Sequence, residues 1–262
     1  MFAATLLCQV LLATAAFASK EHFAHRRAAG ATHQSQPKQA IEAAHVVEGN
    51  AQDIEHTFNW AGAVLSKKKP TYKSVTGTFV VPKPREPSGA SGLHYAAAWV
   101  GIDGMTCGKA ILQTGVTFQI NGGTVTYGAW YEWWPNNQVY FSDISFKAGD
   151  TVELTVVATS KTSGKATVTN KSSNRTVSHS FSGEKPLCQY DAEWIVEDLG
   201  NPGHNVPFAD FGRVTFTDAK AGTLSGSRVG TSGASLLTIK QNNKVLTSVS
   251  HKSGHITVTY VG

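Results

Sequence analysis

The sequence predicts an all-β fold, a β-sandwich of two large antiparallel sheets, on three observations. From about residue 51 the chain is a succession of short apolar or alternating runs separated by Gly, Pro and Asn, without the period of a helix. Only 16% of the residues are charged, and 25 are glycine, which together with many β-branched residues is typical of β-rich domains. No linker-like stretch interrupts the runs, so residues 51–262 are expected to form one domain.

The runs, taken in order, predict a series of strands. They cover residues 72–81, 94–102, 111–120, 125–134, 152–156, 166–169, 176–181, 193–196, 214–217, 236–239, 245–248 and 256–261. The Asn-Gly-Gly run between the third and fourth of these is a strong hairpin signal. Strict apolar/polar alternation in the fifth run predicts a strand with one buried face.

The first fifty residues differ from this pattern. Residues 1–18 resemble a signal peptide, because their apolar core is too short to span a bilayer and Ala16-Phe17-Ala18 has the small-x-small pattern of a cleavage site. Residues 19–50 are rich in Ala, Gln and His and are expected to be a propeptide that is removed on maturation. No later run is apolar enough to cross a membrane, so a secreted, extracellular protein without a membrane partner is expected.

The cysteines and sequons agree with export. Cys8 leaves with the signal peptide, and the remaining pair, Cys107 and Cys188, is expected to form a disulfide in an oxidising compartment. Closing so long a loop contributes roughly 4 kcal/mol in the loop-entropy description. Asn170 and Asn174 each begin a glycosylation sequon.

The charge distribution argues against a nucleic-acid partner. The formal net charge is only +5, and the one dense basic run, residues 67–69, precedes a proline as a solvated turn would. A monomer is the default expectation for the oligomeric state.

Several common catalytic sets are absent from the sequence. There is no His-Glu-x-x-His, no Gly-x-Ser-x-Gly and neither Asp-Thr-Gly nor Asp-Ser-Gly, and the histidines of the predicted domain show no metal-ligand spacing. No metal or cofactor is therefore expected. The candidates that remain are Gln113 in one β-type run and Glu197 in another. On the residues alone, Gln113 could instead satisfy a strand end in a turn, and Glu197 could be an exposed strand end.

Four separated motifs resemble those of the glutamic peptidases, fungal pepstatin-insensitive acid endopeptidases also called eqolisins. They are the runs at 99–104, 110–115, 129–135 and 192–198, and those at 59–64 and 206–208 also fit. The resemblance covers about residues 55–262. It implies a concanavalin-like sandwich of two seven-stranded sheets, a pro-form activated in acid, and a Gln–Glu catalytic dyad that falls on Gln113 and Glu197.

The position of the catalytic glutamate depends on a choice between Glu193 and Glu197. Both lie on the same face of one strand, roughly 13 Å apart at about 3.3 Å per residue, so one of them can meet Gln113. The family motif places the catalytic residue directly before the aspartate, which selects Glu197. Glu197 would take a proton from the attacking water and pass it to the leaving amine, while Gln113 would orient the water and stabilise the oxyanion.

Three further residues are expected to serve the substrate cleft. The resemblance suggests Trp130 and Glu132 on the cleft side of an aromatic strand, with Glu132 in a binding or supporting role. Asp103 either bonds near the dyad or forms a turn before Gly104. One departure from the family is the basic isoelectric point of about 9.1, because the family members compared are strongly acidic.

The expected substrates are proteins or peptides, and two other functions remain open. A secreted carbohydrate-active β-sandwich, either a glycosidase or a lectin, would use the aromatic residues as a platform and Glu132 with Glu197 as an acid/base pair. An exported binding protein with a decayed site is the other, and the intact Gln113 and Glu197 argue against it.

Overall fold

The computed structural model describes residues 35–41, 54–199 and 207–262, which contain seventeen β-strands. Within these ranges no helix could cross a membrane. The predicted signal peptide, and the predicted propeptide apart from 35–41, lie outside the described residues. The strands are β1 (Ile54–Thr57), β2 (Trp60–Ser66), β3 (Tyr72–Val80), β4 (Leu93–Ile102), β5 (Ile111–Asn121), β6 (Thr124–Trp134), β7 (Val139–Tyr140), β8 (Thr151–Ala158), β9 (Gly164–Asn170), β10 (Arg175–Phe181), β11 (Asp191–Glu197), β12 (Arg213–Thr223), β13 (Arg228–Val229), β14 (Ser235–Gln241), β15 (Lys244–Val245), β16 (Thr247–Lys252) and β17 (His255–Tyr260).

The strands form two large sheets, which confirms the predicted all-β sandwich. The larger sheet has nine strands in the order β1-β14-β2-β11-β4-β5-β6-β7, with β15 on β14. The smaller has eight in the order β10-β9-β8-β3-β12-β17-β16, with β13 on β12. Without the two-residue strands β7, β13 and β15, each sheet has seven strands. One pair departs from the antiparallel pattern, since β1 runs parallel to β14.

The main core lies between the sheets and follows from alternation along the strands. In β8 the side chains of Val152, Leu154 and Val156 are fully buried and alternate with half-buried neighbours, as the sequence predicts. In β11 the side chains of Trp194 and Val196 enter the same core. Because successive side chains of a strand point to opposite faces, the odd-numbered residues of β11 lie on the other face of the larger sheet.

Strand β2 is absent from the predicted series, and its burial explains why. Residues Trp60 to Leu65 are all buried on both faces, so no alternation marks the strand. Small side chains occupy the centre because the neighbouring strand is close. A Cβ at Gly62 would lie 2.0 Å from the carbonyl oxygen of Trp194. The backbone of Gly62, with φ +149°, also favours glycine.

The expectation for Asn170 as a glycan acceptor is wrong. Its side chain is 1% exposed, and its amide nitrogen donates to the carbonyl oxygen of Ser145 (3.0 Å) and to Oδ2 of Asp150 (2.9 Å). A glycan on that nitrogen would break both bonds and would have no room. Asn174 is exposed in the turn between β9 and β10, and its glycosylation stays a prediction.

Candidate active site

The face of the larger sheet that points away from the smaller sheet, here called the outer face, carries the candidate site. It holds a second apolar cluster, which includes Trp60, Trp99, Trp130, Ile111 and Leu237. The rings of Trp60 and Trp99 meet edge to face with centroids 4.9 Å apart. These fully buried tryptophans pack around the polar groups of the outer face and form the floor of the candidate site.

Gln113 and Glu197 both lie on this outer face, on strands separated by β4. Gln113 in β5 stands opposite Gly101 of β4, which in turn stands opposite Glu193 of β11. Glu197 lies four residues further along β11, at its end. The glycine is required by crowding, because a Cβ there would lie 2.8 Å from the Trp99 ring and 3.3 Å from Cβ of Gln113.

A single hydroxyl group joins the two candidate catalytic side chains. Oγ of Ser35 lies 3.2 Å from Oε1 of Gln113 and also donates a short hydrogen bond to Oε2 of Glu197. All three side chains are buried. The structure therefore places the side chains of Gln113 and Glu197 within hydrogen-bond distance of the same oxygen atom. Their catalytic role stays a prediction.

Three N–H donors complete the surroundings of the Glu197 carboxylate. Nε1 of Trp99 donates to Oε2 (2.9 Å), while the backbone nitrogen of Gln36 (3.1 Å) and Nδ2 of Asn59 (3.3 Å) donate to Oε1. Burial raises the pKa of Glu197 to about 8, and the bonds from Ser35, Gln36 and Trp99 oppose the rise. In this covered state the carboxyl is therefore protonated in acid.

Glu132 supports Gln113 from the neighbouring strand. The two residues stand directly opposite each other in the β5–β6 pair, and Nε2 of Gln113 donates to Oε2 of Glu132 at 3.0 Å. This bond fixes the amide so that its oxygen faces Ser35. Of the roles that the sequence left open for Glu132, the contact fits support of Gln113.

Trp130 lies on the outer face, fully buried in the second apolar cluster. Its ring packs over Gly115, where a Cβ would lie 2.8 Å away. The packing places Trp130 in the floor beside the dyad. Its contact with substrate stays a prediction.

The hydrogen bonds described for the Asp103 carboxylate go to the loop before β11 and not to Gln113 or Glu197. Its carboxylate is fully buried and accepts backbone N–H bonds from Gln189 (2.8 Å), Tyr190 (2.7 Å) and Asp191 (3.3 Å). Burial raises its pKa to about 6, although these bonds lower it. The residue has the left-handed φ of a tight turn, 68°. Its backbone conformation fits the turn before Gly104 that the sequence allowed, and its carboxylate joins that turn to the loop before β11.

The same two loops carry the disulfide between Cys107 and Cys188. These sulfurs and the Asp103 carboxylate are the one metal-capable group found among the described residues. Because both sulfurs are in the disulfide, they are poor ligands.

The segment 35–41 lies across the site and is held mostly through its main chain. The backbone nitrogen of Lys38 donates to the carbonyl oxygen of Gly104 (3.1 Å), and that of Phe58 donates to the carbonyl oxygen of Gln39 (2.9 Å). Asn59 accepts from the backbone nitrogen of Gln39 (2.9 Å) through Oδ1, and its Nδ2 donates to the carbonyl oxygens of Gln36 and Pro37 (both 3.3 Å).

Sequence reasoning assigned no role to Ser35, Asn59 or Trp99, which all contact Glu197. Asn59 and Trp99 lie in motifs of the family resemblance, so that signal was present for them. No motif of the resemblance includes Ser35, which lies in a segment without a hydrophobic pattern.

Known proteins resemble this chain in sequence and in structure. Residues 58–260 match the Peptidase A4 family. The chain is 44% identical to Aspergillopepsin-2 of Aspergillus niger, over 98% of this chain and 99% of that protein. It is also similar to scytalido-glutamic peptidase solved with a transition state analog inhibitor, with a TM-score of 0.70 and 38% identity over 78% of this chain and 98% of that one.

A further solved structure shows a member of the eqolisin family, SCP-B, in complex with the tripeptide Ala-Ile-His. Its TM-score is 0.67 at 38% identity, again over 78% of this chain and 98% of that one. The family match spans most of the chain, and the Aspergillus relative matches nearly all of it. The chain therefore belongs to the peptidase A4 family and is a glutamic peptidase.

Proposed function

We propose that the chain is the precursor of a secreted acid endopeptidase in which Gln113 and Glu197 form the catalytic dyad. The observation that carries the proposal is the Ser35 hydroxyl, an oxygen in hydrogen-bond contact with both side chains. A water molecule at that oxygen position would have its two hydrogens directed at Oε1 of Gln113 and Oε2 of Glu197. That arrangement orients one lone pair of the water toward a substrate carbonyl.

The first chemical step is attack of this water on the scissile carbonyl carbon. Glu197 accepts a proton as the water attacks, and the C–O bond forms as the carbonyl becomes an oxyanion. The amide nitrogen of Gln113 carries two hydrogens, of which the bond to Glu132 uses one. The other can donate to the oxyanion, and one such donor contributes about 3 kcal/mol to transition-state stabilisation.

The second step returns the proton to the substrate. Collapse of the tetrahedral intermediate breaks the C–N bond, and Glu197 gives its proton to the departing amine nitrogen. The contact between Glu197 and the peptide nitrogen of Gln36, at 3.1 Å, supports this assignment, because that nitrogen lies where a leaving amine would lie. The peptide bond between Ser35 and Gln36 is thus seated much as a substrate bond would be.

The segment 35–41 keeps the precursor inactive. The Ser35 hydroxyl fills the proposed water position, and burial holds Glu197 protonated in acid, with a pKa of about 8. When the segment leaves, solvent reaches the carboxyl and its pKa falls, since burial is the largest cause of the rise. Glu197 can then act as a base in acid.

The family membership favours the peptidase over the carbohydrate-active alternative. The contact between Gln113 and Glu132 points the same way, because it uses the second carboxylate to orient an amide.

The experiment that tests the proposal is digestion of a denatured protein at about pH 3–4 with pepstatin present. Acid-treated wild-type protein should cleave it, whereas Glu197→Gln and Gln113→Ala should not. Circular dichroism of each variant checks that the β fold is retained. Near-normal cleavage by Glu197→Gln would contradict the dyad.

Glu193→Gln is the matched control. Glu193 lies on the same strand and the same face as Glu197 and is equally buried, but four residues away. Retained cleavage by this variant would show that the loss in Glu197→Gln belongs to the carboxylate at that position.

A further inference from the structure

Exposed lysines gather at one end of the sandwich, here called the basic end. It includes five turns and loops, which are residues 67–71, 103–110, 135–138, 159–163 and 182–190. Their exposed basic side chains are those of Lys67, Lys68, Lys69, Lys109, Lys161 and Lys185.

Few negative charges oppose these lysines. The same five turns and loops contain two carboxylates, Asp103 and Glu184. Asp103 is buried and accepts backbone hydrogen bonds, and Oε2 of Glu184 accepts a hydrogen bond from Nδ2 of Asn136 (2.6 Å). The basic end therefore has a positive potential that attracts anions.

A cavity of about 710 Å³ opens at the basic end. Lys109, Lys161 and Lys185 line it from three different loops, and no acidic side chain is among its lining residues. None of the three lysines forms a salt bridge within the part of the chain that the structure describes. Their ammonium groups are therefore available to carboxylates of a ligand.

The lining of the cavity also contains three rings. They belong to Trp134, Pro135 and Tyr190, which are all half-buried. Each ring is thus held in place while part of its surface stays open. The negative face of an aromatic ring attracts C–H groups, and the flat side of a sugar ring presents such groups.

The loops around the cavity are fastened to one another. The disulfide joins the loop before β5 to the loop before β11. The backbone nitrogen of Leu187 donates to the carbonyl oxygen of Lys161 (2.8 Å), and that of Lys67 donates to the carbonyl oxygen of Tyr190 (2.9 Å). A site that is held in this way needs little ordering of its backbone when a ligand binds.

We propose that this cavity binds an acidic polysaccharide, a chain of uronic acid sugars. The sugar carboxylates pair with Lys109, Lys161 and Lys185, while a sugar ring packs against Trp134. A longer chain extends from Tyr190 along the lysines of residues 67–69. The site does not depend on the proposed dyad, and its lysines contribute to the basic isoelectric point of about 9.1.

Two observations favour a polysaccharide over other polyanions. The rings give the cavity an apolar part, which an acidic peptide backbone would leave uncovered. The disulfide is typical of oxidising compartments outside the cytosol, where acidic polysaccharides occur and nucleic acids are scarce.

The size of the effect follows from the exposure of the three lysines. An exposed ion pair changes a binding equilibrium by up to about fivefold. Loss of all three should therefore weaken binding by about 10- to 100-fold. Added salt should weaken binding as well, because it screens exposed charges.

The test is a calorimetric titration of a short oligogalacturonate into the full chain carrying Gln113→Ala, which should not digest itself. At about pH 6 carboxylates are ionised and lysines are protonated. The test variant adds Lys109→Gln, Lys161→Gln and Lys185→Gln to this parent chain, and circular dichroism checks its fold.

The control variant adds Lys83→Gln, Lys147→Gln and Lys244→Gln instead. These lysines are also exposed, but they lie at the opposite end of the sandwich, after β3, before β8 and in β15. Both variants lose the same net charge, so a difference between them reports the position of the lysines.

The parent and the control should bind the oligogalacturonate equally, and the test variant should bind it about 10- to 100-fold more weakly. The methyl-esterified oligomer, which has the same rings without charge, should bind the parent more weakly than the acid form. An oligoglutamate of equal length, which has the charges without sugar rings, should also bind more weakly.

Absence of binding by the parent, or equal losses in the test and control variants, would overturn the site. Binding of the oligoglutamate or of single-stranded DNA of equal length as tightly as the oligogalacturonate would overturn the assignment to a polysaccharide. Neither result would affect the proposed peptidase function, because the titration measures no cleavage.

Discussion

The amide nitrogen of Gln113 donates a 3.0 Å hydrogen bond to Oε2 of Glu132, its direct partner across the β5–β6 pair. An amide has a donor end and an acceptor end, and the carboxylate accepts only from the donor end. Glu132 therefore sets which way Gln113 faces and presents the amide oxygen to the proposed water position. A residue that the sequence placed in a binding or supporting role orients half of the proposed dyad.

Replacing Glu132 with Leu should lower kcat by about 10- to 100-fold with little change in KM. The substitution removes the acceptor, so the amide of Gln113 can turn and direct a hydrogen at the water instead of its oxygen. The measurement is steady-state kinetics on a quenched peptide with the acid-processed enzyme. Glu132→Gln keeps an acceptor oxygen and should recover much of the rate, and a KM-only effect in both variants would contradict the orienting role.

Replacing Trp99 with Phe should shift the acid limb of the pH profile of kcat/KM to higher pH by about one unit. The indole N–H donates to Glu197 and favours its ionised form, so its loss raises the pKa of the general base. More of the carboxyl is then protonated at a given acid pH. The measurement is the pH–rate profile between the acid limit of folding and neutrality.

Trp130→Phe is the control for that experiment. Trp130 lies in the same apolar cluster and is equally buried, but its indole nitrogen has no hydrogen-bond partner among the described residues. Its substitution perturbs packing without removing a bond to Glu197 and should leave the acid limb in place. An equal shift in both variants would attribute the effect to packing.

Most of the fold could be predicted because alternation is a local property. Five strands have an alternating or apolar pattern, or end at a clear turn, and their bounds agree with the predicted runs to within a few residues. They are β3, β4, β5, β6 and β8. Strand β2 could not be found in this way, since both of its faces are buried and it is built from small residues. The short strands β7 and β13 depend on neighbours that only the assembled sheet supplies.

The site could be predicted only in part, because some of its contacts join residues that are far apart in the sequence. Parity along the strand put Glu193 and Glu197 on one face, and the family motif selected Glu197. The approach of Ser35 to Glu197 spans 162 residues, and no local pattern encodes it. At Asn170 a local pattern predicted too much. The sequon is present in the sequence, but the burial of its asparagine depends on the assembled sheet.

Replacing Ser35 with Ala should speed acid activation of the precursor by about tenfold. The variant loses the hydrogen bond from Ser35 to the buried Glu197 carboxyl, which costs about 1 to 1.5 kcal/mol, and it vacates the proposed water position. The measurement is the time course of N-terminal processing at acid pH by mass spectrometry. A new terminus at Gln36 would show cleavage of the seated bond itself. Ser35→Thr keeps the hydroxyl and should activate slowly, and identical rates in all three proteins would contradict the blocking role.

Folding stability should be greatest in acid and should fall as the pH rises from about 4 to about 8. Burial raises the pKa of Glu197 to about 8 and that of Asp103 to about 6. The pKa of Glu193 is also raised well above its usual value, mainly by burial and further by the charges of Asp191 and Asp103. A carboxyl with a higher pKa in the folded chain binds its proton more tightly there, so its full contribution is present below the unfolded pKa. The contribution is lost as the pH climbs toward the folded pKa.

The rise for Asp103 alone corresponds to about 3 kcal/mol between acid and neutral pH, at 1.36 kcal/mol per pH unit. Thermal unfolding of the Gln113→Ala full chain, which should not digest itself, measures the effect as a melting temperature that decreases from pH 4 to pH 8. Glu193→Gln in that background removes one titrating carboxyl at nearly constant shape. It should flatten the pH dependence and stabilise the chain at pH 8, because a neutral amide does not have to be ionised in the core. A melting temperature that rises with pH in either protein would show that the buried carboxyls are ionised in the folded state.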